Sequence, residues 1–275
     1  MSSLIFHKME GAGNDFIVID NRESGLSMDE IISITPKLCD RKFGIGADGL
    51  LVLELPKVID ADYTMIYRNA DGSDAGMCGN GGRCLALFAA HHGLPNKHRF
   101  NVHDGIYEAE VDKIEHSVNI LFPDTLAPKK LLINKKKYLQ VYTGTEHVVS
   151  FEELDRLEDE DDLIAEGSFI RNHPVLNPPG TNVNFVCIDD RETLFLQTFE
   201  KGVEGLTLAC GTGALASAIA SHFIQEEKGK DFRYSVTVKG GTLGISFQFE
   251  EQTNSYTQLI LSGPANFVFT GTINI

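Results

Sequence analysis

The sequence predicts an α/β protein of the α+β kind, with two similar halves that each contain many strands and one apolar helix. Two stretches carry this prediction, MCGNGGR at 77–83 and ACGTGAL at 209–215. Each has a cysteine, then Gly-X-Gly, then an apolar run with helical spacing. Around both, short apolar segments separated by glycine turns predict strands. The 275 residues suffice for two halves with cores of their own.

The elements of the first half follow from local patterns. Two strands flank a glycine turn in 4–20, and β-branched or alternating apolar residues predict further strands within 44–55 and 61–72. Ser27 to Leu38 is predicted as a helix, with Ser27 as its N-cap and acidic residues in its first turn. RCLALFAAHHG is predicted as a buried helix that closes at Gly93.

The second half repeats this pattern after a break near 125–135. Its predicted strands lie within 139–151, 180–189, 192–202, 234–250 and 257–271, and its apolar helix lies at 214–227. GTNVNFVCID at 180–189 resembles GAGNDFIVID at 11–20. Pairing these two segments implies an insertion in the first half, because GAGNDF lies further from its cysteine motif than GTNVNF does.

Composition and charge exclude several classes of function. The net charge of −15 disfavours a nucleic-acid or anionic-membrane surface. No apolar run approaches the ~20 residues of a membrane span, and the N-terminus lacks the apolar core of a signal peptide. We therefore expect a cytoplasmic protein. Two charged segments are predicted to be solvated: a lysine-rich strand edge or turn (Lys129, Lys130, Lys135, Lys136, Lys137) and an acidic surface helix or loop (Glu152 to Asp162).

The five cysteines do not suggest a disulfide framework or a metal site. Their number is odd, the chain is long, and no Cys-X-X-Cys pair occurs. Cys39 and Cys187 stand in apolar surroundings and are predicted as small core residues. Cys78 and Cys210 differ from these because each precedes a glycine turn.

A cysteine at a helix start has distinctive chemistry. The first N–H groups of a helix are unpaired and carry a partial positive charge, which makes an anion site and favours a thiolate. One such cysteine suits a covalent nucleophile. Two on matching halves suggest racemisation, in which one thiolate removes an α-proton and the opposite thiol returns one to the other face. GTGALA at 211–216 also matches a dinucleotide fingerprint, but it lies late in the chain and no parallel βαβ series surrounds it.

With these residues in place, the sequence resembles the diaminopimelate epimerases of the cofactor-independent amino-acid racemase superfamily. The matching motifs cover essentially the whole chain in order: GAGNDF (11–16), GIGADG (44–49), NADGSDAGMCGNGGRC (69–84), GTNVNFV (180–186), FEKGVEGLTLACGTGA (199–214), KGGTL (239–243) and SGPA (262–265). The block from Asn69 to Cys84 together with Cys-Gly-Thr-Gly is highly specific.

The resemblance implies two pseudo-symmetric domains, each a curved, mostly antiparallel sheet around a central helix, with the active site in the cleft between them. The expected bounds are 1–127 with the C-terminal segment 265–275, and 128–264. The family interconverts LL- and meso-2,6-diaminoheptanedioate on the route to lysine and peptidoglycan. It uses neither pyridoxal phosphate nor metal, and its members are commonly homodimers.

Carried over by position, the resemblance assigns Cys78 and Cys210 as the acid/base pair. Gly79, Asn80, Gly211 and Thr212 are expected to hold the reacting α-carboxylate. The remaining expected substrate-binding residues are Asn14, Asn69, Thr145, Asn182, Glu200 and Lys201. Glu200 matches the acid that receives the reacting amino group, and an amide can both donate to a carboxylate and accept from an ammonium.

Three departures affect how the far end of a substrate is recognised. Lys201 stands where the family usually has arginine, and lysine lacks the bidentate fork. Thr145 stands where the family often has an asparagine, and Leu206 stands near a position that is often glutamate. A related racemase or isomerase with another substrate is therefore the second hypothesis. A non-enzymatic amino-acid-binding protein is the third, and such a protein would need neither cysteine.

Overall fold

The chain folds into two compact units. In the computed structural model, which describes residues 3–103, 105–226 and 228–275, unit 1 comprises Met1–Ile120 and Gly263–Ile275, and unit 2 comprises Leu121–Ser262. These boundaries lie earlier in the chain than the domain bounds expected from the sequence. Among the described residues, no helix is long and apolar enough to cross a membrane.

Unit 1 contains the helices and strands of the first part of the chain, together with the last strand. Its elements are β1 (Ser3–Gly11), β2 (Asn14–Asp20), α1 (Asn21–Ser24), α2 (Met28–Cys39), β3 (Gly49–Glu54), β4 (Tyr63–Asn69), α3 (Gly79–His91), β5 (Lys97–Val102), β6 (Gly105–Asp112) and β7 (Ser117–Phe122), which crosses the boundary. The last strand of the chain, β18 (Asn266–Asn274), returns to this unit and pairs with β1.

Unit 2 contains the remaining elements, the last of which extends past the unit boundary at Ser262. They are β8 (Thr125–Leu126), β9 (Lys129–Ile133), β10 (Lys136–Tyr142), β11 (Glu146–Phe151), a 3-10 turn (Leu154–Glu158), α4 (Glu160–Arg171), β12 (Asn182–Ile188), β13 (Thr193–Glu200), β14 (Gly205–Thr207), α5 (Gly211–Gln225), β15 (Asp231–Val238), β16 (Gly241–Glu250) and β17 (Ser255–Pro264). The predicted strands and both apolar helices are present.

Strand pairing shows that the two units repeat one topology. In unit 1 the strands β18, β1, β2, β3, β4, β5 and β6 pair in succession, and only β2–β3 and β4–β5 in this series are parallel. In unit 2 the series β9, β10, β11, β12, β13, β15 and β16 has its parallel pairs at the same places, β11–β12 and β13–β15. Both sheets are therefore mostly antiparallel, as predicted.

This topology corrects the predicted pairing of the two halves. Strand β12 corresponds to β3, so GTNVNF corresponds in position to GIGADG and not to GAGNDF. The counterpart of Asn14, the first residue of β2, is Glu146, the first residue of β11. Asn14 lies 64 positions before Cys78, and Glu146 lies equally far before Cys210. The insertion predicted for the first half is therefore wrong.

Each unit has a helix on both faces of its sheet; both helices of unit 1 were predicted, whereas in unit 2 the segment of α4 was predicted only as a surface helix or loop. In unit 1, α2 packs with Ile17, Ile19 and Leu50 on one face, while α3 lies on the other face, where Gly81 approaches Leu51. In unit 2, α4 packs in the hydrophobic cluster that contains Val183 and Phe185. Helix α5 approaches Asn184 on the opposite face of the sheet. Since residues alternate across a strand, both faces of each sheet are covered.

The charged segments are only partly as predicted. The acidic run forms the 3-10 turn and the start of α4, which fits the predicted surface helix or loop. Lys136, however, is not simply a solvated edge residue. Its Nζ lies 2.6 Å from Glu152 Oε1 and 2.8 Å from Glu166 Oε1. Because this lysine begins β10 and pairs with the residue that follows β11 and with a residue of α4, it links these two segments to β10.

The N-cap of α2 gives a prediction about stability. The Ser27 side chain accepts from the Glu30 backbone N–H, and the Glu30 carboxylate accepts from the Ser27 N–H at 2.8 Å. Replacing Ser27 with alanine is expected to lower the free energy of unfolding by about 1 kcal/mol, measured by urea denaturation. Ser33→Ala on the exposed face of the same helix is the control, with no loss expected. Equal stabilities of the two variants would contradict the prediction.

Candidate active site

In unit 1, the cysteine of the first motif begins α3. Cys78 is the N-cap in extended conformation, with φ −119° and ψ 121°, and the Gly81 N–H points to its Sγ at 3.4 Å. Gly79 and Asn80 are the first two helical residues, as expected from the sequence. The sulfur is therefore held beside the N–H groups that a helix start leaves without intrahelical partners.

Two amides lie next to this sulfur in fixed orientations. Asn14 Oδ1 is 3.9 Å from Cys78 Sγ and accepts from Asn80 Nδ2 at 3.3 Å. Asn14 Nδ2 donates to Asp48 Oδ2 at 2.6 Å. An ionised carboxylate only accepts, so Asp48 turns the amide oxygen of Asn14 towards the sulfur. The structure thus brings together Asn14, Asn80 and Cys78, three of the predicted site residues.

Asp48 is in turn fixed by neighbouring charges. Arg41 Nη2 lies 2.8 Å from Asp48 Oδ1 and 2.6 Å from Asp15 Oδ1, and Lys8 Nζ lies 2.6 Å from Asp15 Oδ2. Partial burial alone would raise the pKa of Asp15, but the hydrogen bonds of Arg41 and Lys8 lower it to about 2. The Asp15 carboxylate therefore stays ionised at neutral pH and keeps Arg41 beside Asp48, the residue that orients Asn14.

Asn69 is involved in a turn. It ends β4, its Nδ2 donates to Ser73 Oγ at 3.0 Å, and its carbonyl accepts from the Gly72 N–H at 2.8 Å. The side chain thus stabilises the turn that precedes the cysteine motif. Its predicted contact with a substrate stays a prediction.

In unit 2, the cysteine of the second motif begins α5. Cys210 is the N-cap with φ −122° and ψ 107°, nearly the backbone conformation of Cys78. Its Sγ lies 3.6 Å from the hydroxyl of Thr212, and the Thr212 carbonyl accepts from Thr143 Oγ1 at 2.9 Å. Gly211 and Thr212 are the first residues of the helix. Cys210 and Thr212 are thus together, as the sequence predicts.

Gly213 gives a second prediction. An added Cβ would lie 2.4 Å from Asn184 Oδ1 and 3.1 Å from Cys210 Sγ. Asn184 has little freedom to move, because its amide donates to the Val148 carbonyl at 3.1 Å and accepts from Thr198 Oγ1 at 3.0 Å. Gly213→Ala must therefore displace the start of α5.

We expect Gly213→Ala to lower the free energy of unfolding by about 1–3 kcal/mol and to speed alkylation of the buried Cys210. Gly205→Ala is the matched control, because a Cβ at Gly205 meets nothing within 4 Å. Urea denaturation and the labelling rate of Cys210 measure the two effects. A Gly213 variant as stable as the Gly205 variant would refute the steric argument.

The other predicted residues of unit 2 form a second cluster at the ends of β11, β12 and β13. Lys201 N donates to Asn182 Oδ1 at 2.8 Å, and Lys201 Nζ lies 2.9 Å from Glu146 Oε2. Asn182 Nδ2 donates to the Glu146 carbonyl at 3.2 Å. Thr145 Oγ1 lies 3.4 Å from Glu146 Oε2. Thr145, Asn182 and Lys201 are thus brought together around a residue to which the sequence assigned no role.

The electrostatics of this cluster follow from burial and from Lys201. Partial burial alone would raise the pKa of Glu146, but the hydrogen bond and charge of Lys201 hold it below its ordinary value. His147 is fully buried, and burial with the nearby Lys201 charge lowers its pKa to about 3. Glu200, at the end of β13, accepts from Thr207 Oγ1 at 2.5 Å. At neutral pH the cluster therefore contains a neutral imidazole beside a lysine–glutamate ion pair.

Sequence reasoning missed Asp48, Glu146 and Arg83, whose side chain is fully buried in α3. Asp48 lies within the GIGADG motif, but nothing local indicates that it reaches Asn14. Glu146 could have been found by the constant offset between the cysteines, which relates it to Asn14. Arg83 could have been found as the one charge in an otherwise apolar helical run.

Taken by itself, each helix start combines a sulfur with N–H donors suited to an anion. The family model for diaminopimelate epimerase matches residues 6–122 and 139–268, which include both helix starts. The chain belongs to the diaminopimelate epimerase family.

Similar proteins named diaminopimelate epimerase include one from Chlorobaculum tepidum, 40% identical over 274 residues that cover 97% of this chain and 100% of that protein. Another, from Flavobacterium psychrophilum, is 38% identical over 268 residues, covering 97% and 99%. The family assignment thus rests on nearly the full length of both partners, and not on the cysteine motifs alone.

Solved structures share the fold at low sequence identity. A PhzF-family phenazine biosynthesis protein from Bacillus anthracis has a TM-score of 0.75 at 14% identity, with complete coverage of both chains. A hydroxyproline epimerase from Agrobacterium vitis has a TM-score of 0.72 at 13% identity, covering 98% of this chain and 92% of that one. The α/β fold with pseudo-symmetric halves predicted from the sequence is confirmed.

Proposed function

We propose that this protein is an epimerase that interconverts LL- and meso-2,6-diaminoheptanedioate for lysine and peptidoglycan precursor biosynthesis. The observation that carries the proposal is the presence, in a chain of this family, of a cysteine as N-cap of the central helix in each repeat. We further propose that it works in the cytoplasm as a homodimer and without a cofactor.

In the proposed reaction, Cys78 and Cys210 are the acid and the base. The thiolate of one cysteine takes the α-proton, and the thiol of the other donates a proton to the opposite face of the α-carbon. The roles exchange in the reverse direction. The N–H groups of Gly79, Asn80, Gly211 and Thr212 meet the charge that grows on the α-carboxylate, and Glu200 receives the reacting ammonium.

The energetic demand on these donors is large. If the α-proton is less acidic than a thiol by on the order of ten pKa units, the gap costs roughly 14 kcal/mol, at about 1.36 kcal/mol per unit. Aligned N–H donors in a water-poor site are the means by which proteins stabilise such developing charge. The pairing of a sulfur with a helix start in both repeats supports this assignment.

The far end of the substrate is proposed to meet the cluster of Thr145, Glu146, Asn182 and Lys201. That end carries both a carboxylate and an ammonium group. Lys201 offers a cation and Glu146 an anion, 2.9 Å apart. We assign Lys201 to the distal carboxylate and Glu146 to the distal ammonium, so that the ion pair opens to exchange its partners for the zwitterion. Asn69 is proposed to bind the same substrate from unit 1.

The proposal is tested by incubating the purified protein with the LL isomer in D2O, with no cofactor added, and following the α-proton by NMR. Loss of the α-proton signal with formation of the meso isomer is the expected result. Exchange on a different amino acid but not on this one would support the related-racemase hypothesis. Binding of the substrate with no exchange would favour an amino-acid-binding protein.

A further inference from the structure

Arg83 is a buried cation whose role in the fold is not obvious. Its side chain is fully buried in the first turns of α3. It donates to three oxygens: the Pro264 carbonyl at 3.1 Å, the Gly79 carbonyl at 3.4 Å and Asn80 Oδ1 at 2.9 Å. These acceptors are neutral, and no carboxylate of the described residues lies within 4.0 Å of the guanidinium. A buried charge without a counter-charge is costly.

The surroundings of the helix start keep that charge poorly screened. Glycines of the first turn approach Leu51 and Met65 on one side and Ile120 and Phe100 on another. In such an apolar setting a charge acts over a longer distance than in water. Arg83 is tied directly to Gly79 and Asn80, the residues that follow Cys78, so its position relative to the sulfur is fixed.

The other charged groups near α3 are largely neutralised. On β1 and β2, Lys8 pairs with Asp15 at 2.6 Å. Glu10 on β1 accepts from the Gly13 N–H at 3.0 Å and from Asn266 Nδ2 at 2.6 Å, and its negative charge opposes a thiolate. His7 contacts Phe88 at the far end of the helix. Tyr107 of β6 is buried. The Asn14 amide oxygen, 3.9 Å from the sulfur, also favours the thiol. Among the described residues of these elements, Arg83 is the cation bonded directly to the residues of this helix start.

A second thiol lies on the same helix. Burial raises the pKa of Cys84 well above its ordinary value, so this thiol stays protonated. Burial lowers the pKa of Arg83, whereas the charges of Cys84, Cys78 and Glu10 raise it. Because electrostatic coupling is mutual, a thiolate that stabilises the guanidinium is itself stabilised by it.

The second repeat lacks this charge. The offset that relates Cys78 to Cys210 also relates Arg83 to Leu215, which is fully buried in α5. Both cysteines have a helix start, but only Cys78 has a buried arginine one turn beyond it. The two repeats therefore differ in electrostatics where they agree in backbone geometry.

We infer that Arg83 is a positioning residue that stabilises the thiolate of Cys78, so that Cys78 loses its proton at lower pH than Cys210. Arg83 acts on the reaction through the sulfur of Cys78. It also orients Asn80, because it donates to the Asn80 amide oxygen while the Asn80 amide nitrogen donates to Asn14. The inference rests on the proposed function, since it deepens the role of Cys78. Before substrate binds, Cys78 of unit 1 is then the thiolate that acts as the base, and Cys210 of unit 2 is the thiol that acts as the acid.

The test is the pH dependence of alkylation by iodoacetamide, with each cysteine-containing peptide quantified by mass spectrometry. In the wild-type protein, labelling of Cys78 should reach half its maximal rate at lower pH than labelling of Cys210. Burial of a cysteine changes its maximal rate of alkylation, but the pH at which the rate is half-maximal reports ionisation of the thiol. Arg83→Gln should raise the Cys78 midpoint by about one pH unit or more. Arg83→Lys should largely restore it, because the cation is kept.

Arg99→Gln removes an exposed cation from the same unit and serves as the control, with no shift expected. A folded Arg83→Gln protein with an unchanged Cys78 midpoint would overturn the inference. If that variant does not fold, the wild-type comparison still decides, because equal midpoints for Cys78 and Cys210 would overturn it as well. The D2O assay on the wild-type protein tests the proposed function separately. If the protein does not epimerise the substrate but Cys78 still ionises at lower pH than Cys210, the proposed function is wrong and the inferred role of Arg83 stands.

Discussion

Replacing Cys78 or Cys210 with alanine is expected to abolish epimerisation in D2O, whichever isomer is supplied. Inversion needs a base on one face of the α-carbon and an acid on the other, so the loss of either sulfur stops it. The contribution of a general acid or base is roughly 10²–10⁴-fold, and we expect a loss at or beyond the upper end of that range. The measurement is the rate of formation of the other isomer, followed by NMR.

The same experiment distinguishes proton removal from inversion. A variant that keeps one cysteine can still remove the α-proton and return deuterium to the same face. We therefore expect residual exchange with retention of configuration, on one isomer only, in at least one of the two variants. For an amino-acid-binding protein without enzymatic activity, replacing either cysteine would leave binding of the amino acid unchanged.

Cys187→Ala is the matched control for both variants. Cys187 lies in strand β12, is buried and packs in the hydrophobic cluster on the α4 face of the unit 2 sheet, opposite the face that α5 covers. Its removal should leave the epimerisation rate unchanged. Full epimerisation by the Cys78 or the Cys210 variant would refute the two-base mechanism.

Lys201→Met is expected to lower kcat/KM for diaminoheptanedioate by roughly 10–100-fold, because a charge-assisted hydrogen bond contributes about 1.5–3 kcal/mol. The variant also leaves the Glu146 carboxylate without its partner cation. The expected loss lies mainly in KM, since Lys201 is assigned to the end of the substrate that does not react.

Glu146→Gln gives a sharper test, because it should discriminate between substrates. We expect kcat/KM for diaminoheptanedioate to fall about tenfold or more. For 2-aminoheptanedioate, which lacks the distal amino group, it should stay the same or rise, since Lys201 is then free of its competitor. Glu192→Gln, at an exposed position of unit 2, controls for the loss of one negative charge. An equal loss on both substrates would show that Glu146 does not bind the distal ammonium.

Ion pairing also explains how lysine can stand where the family usually has arginine. Arginine binds a carboxylate through two parallel hydrogen bonds, and lysine presents a compact charge with freely rotating donors. Here the Lys201 ammonium is held by Glu146 at 2.9 Å, and the Lys201 backbone is held by Asn182 at 2.8 Å. Asn182 thus fixes the backbone from which the Lys201 side chain extends, and in the proposed reaction Glu146 holds the ammonium only until the substrate carboxylate replaces it.

Local sequence was enough for the features that depend on neighbouring residues. The N-cap of α2 at Ser27 and the starts of both central helices at Cys78 and Cys210 were predicted correctly. A cap depends on the conformation of one residue and on hydrogen bonds to the next three, all of which a short motif specifies. Burial of Cys39 was likewise evident, and burial raises the pKa of its thiol to about 12.

Helix α4 shows where local patterns fail. Its first turn is almost entirely acidic and its sequence carries a weak apolar stripe, Leu163, Gly167 and Ile170. It is a helix because it packs on β12 and β13 at the place that α2 occupies on the sheet of unit 1. The strand pairing that the two units share also showed that the counterpart of Asn14 is Glu146 and not a residue of GTNVNF.

Motifs and periodicities involve residues close together along the chain, so they were enough to predict the family, the two-repeat α/β fold and the pair of cysteine motifs. The folded structure was needed to show which side chains face those motifs. Arg83 meets Pro264, 181 positions away, and Lys201 meets Glu146, 55 positions away. Such contacts arise from strand order and register, and these are fixed by the packing of whole sheets against their helices rather than by any local pattern.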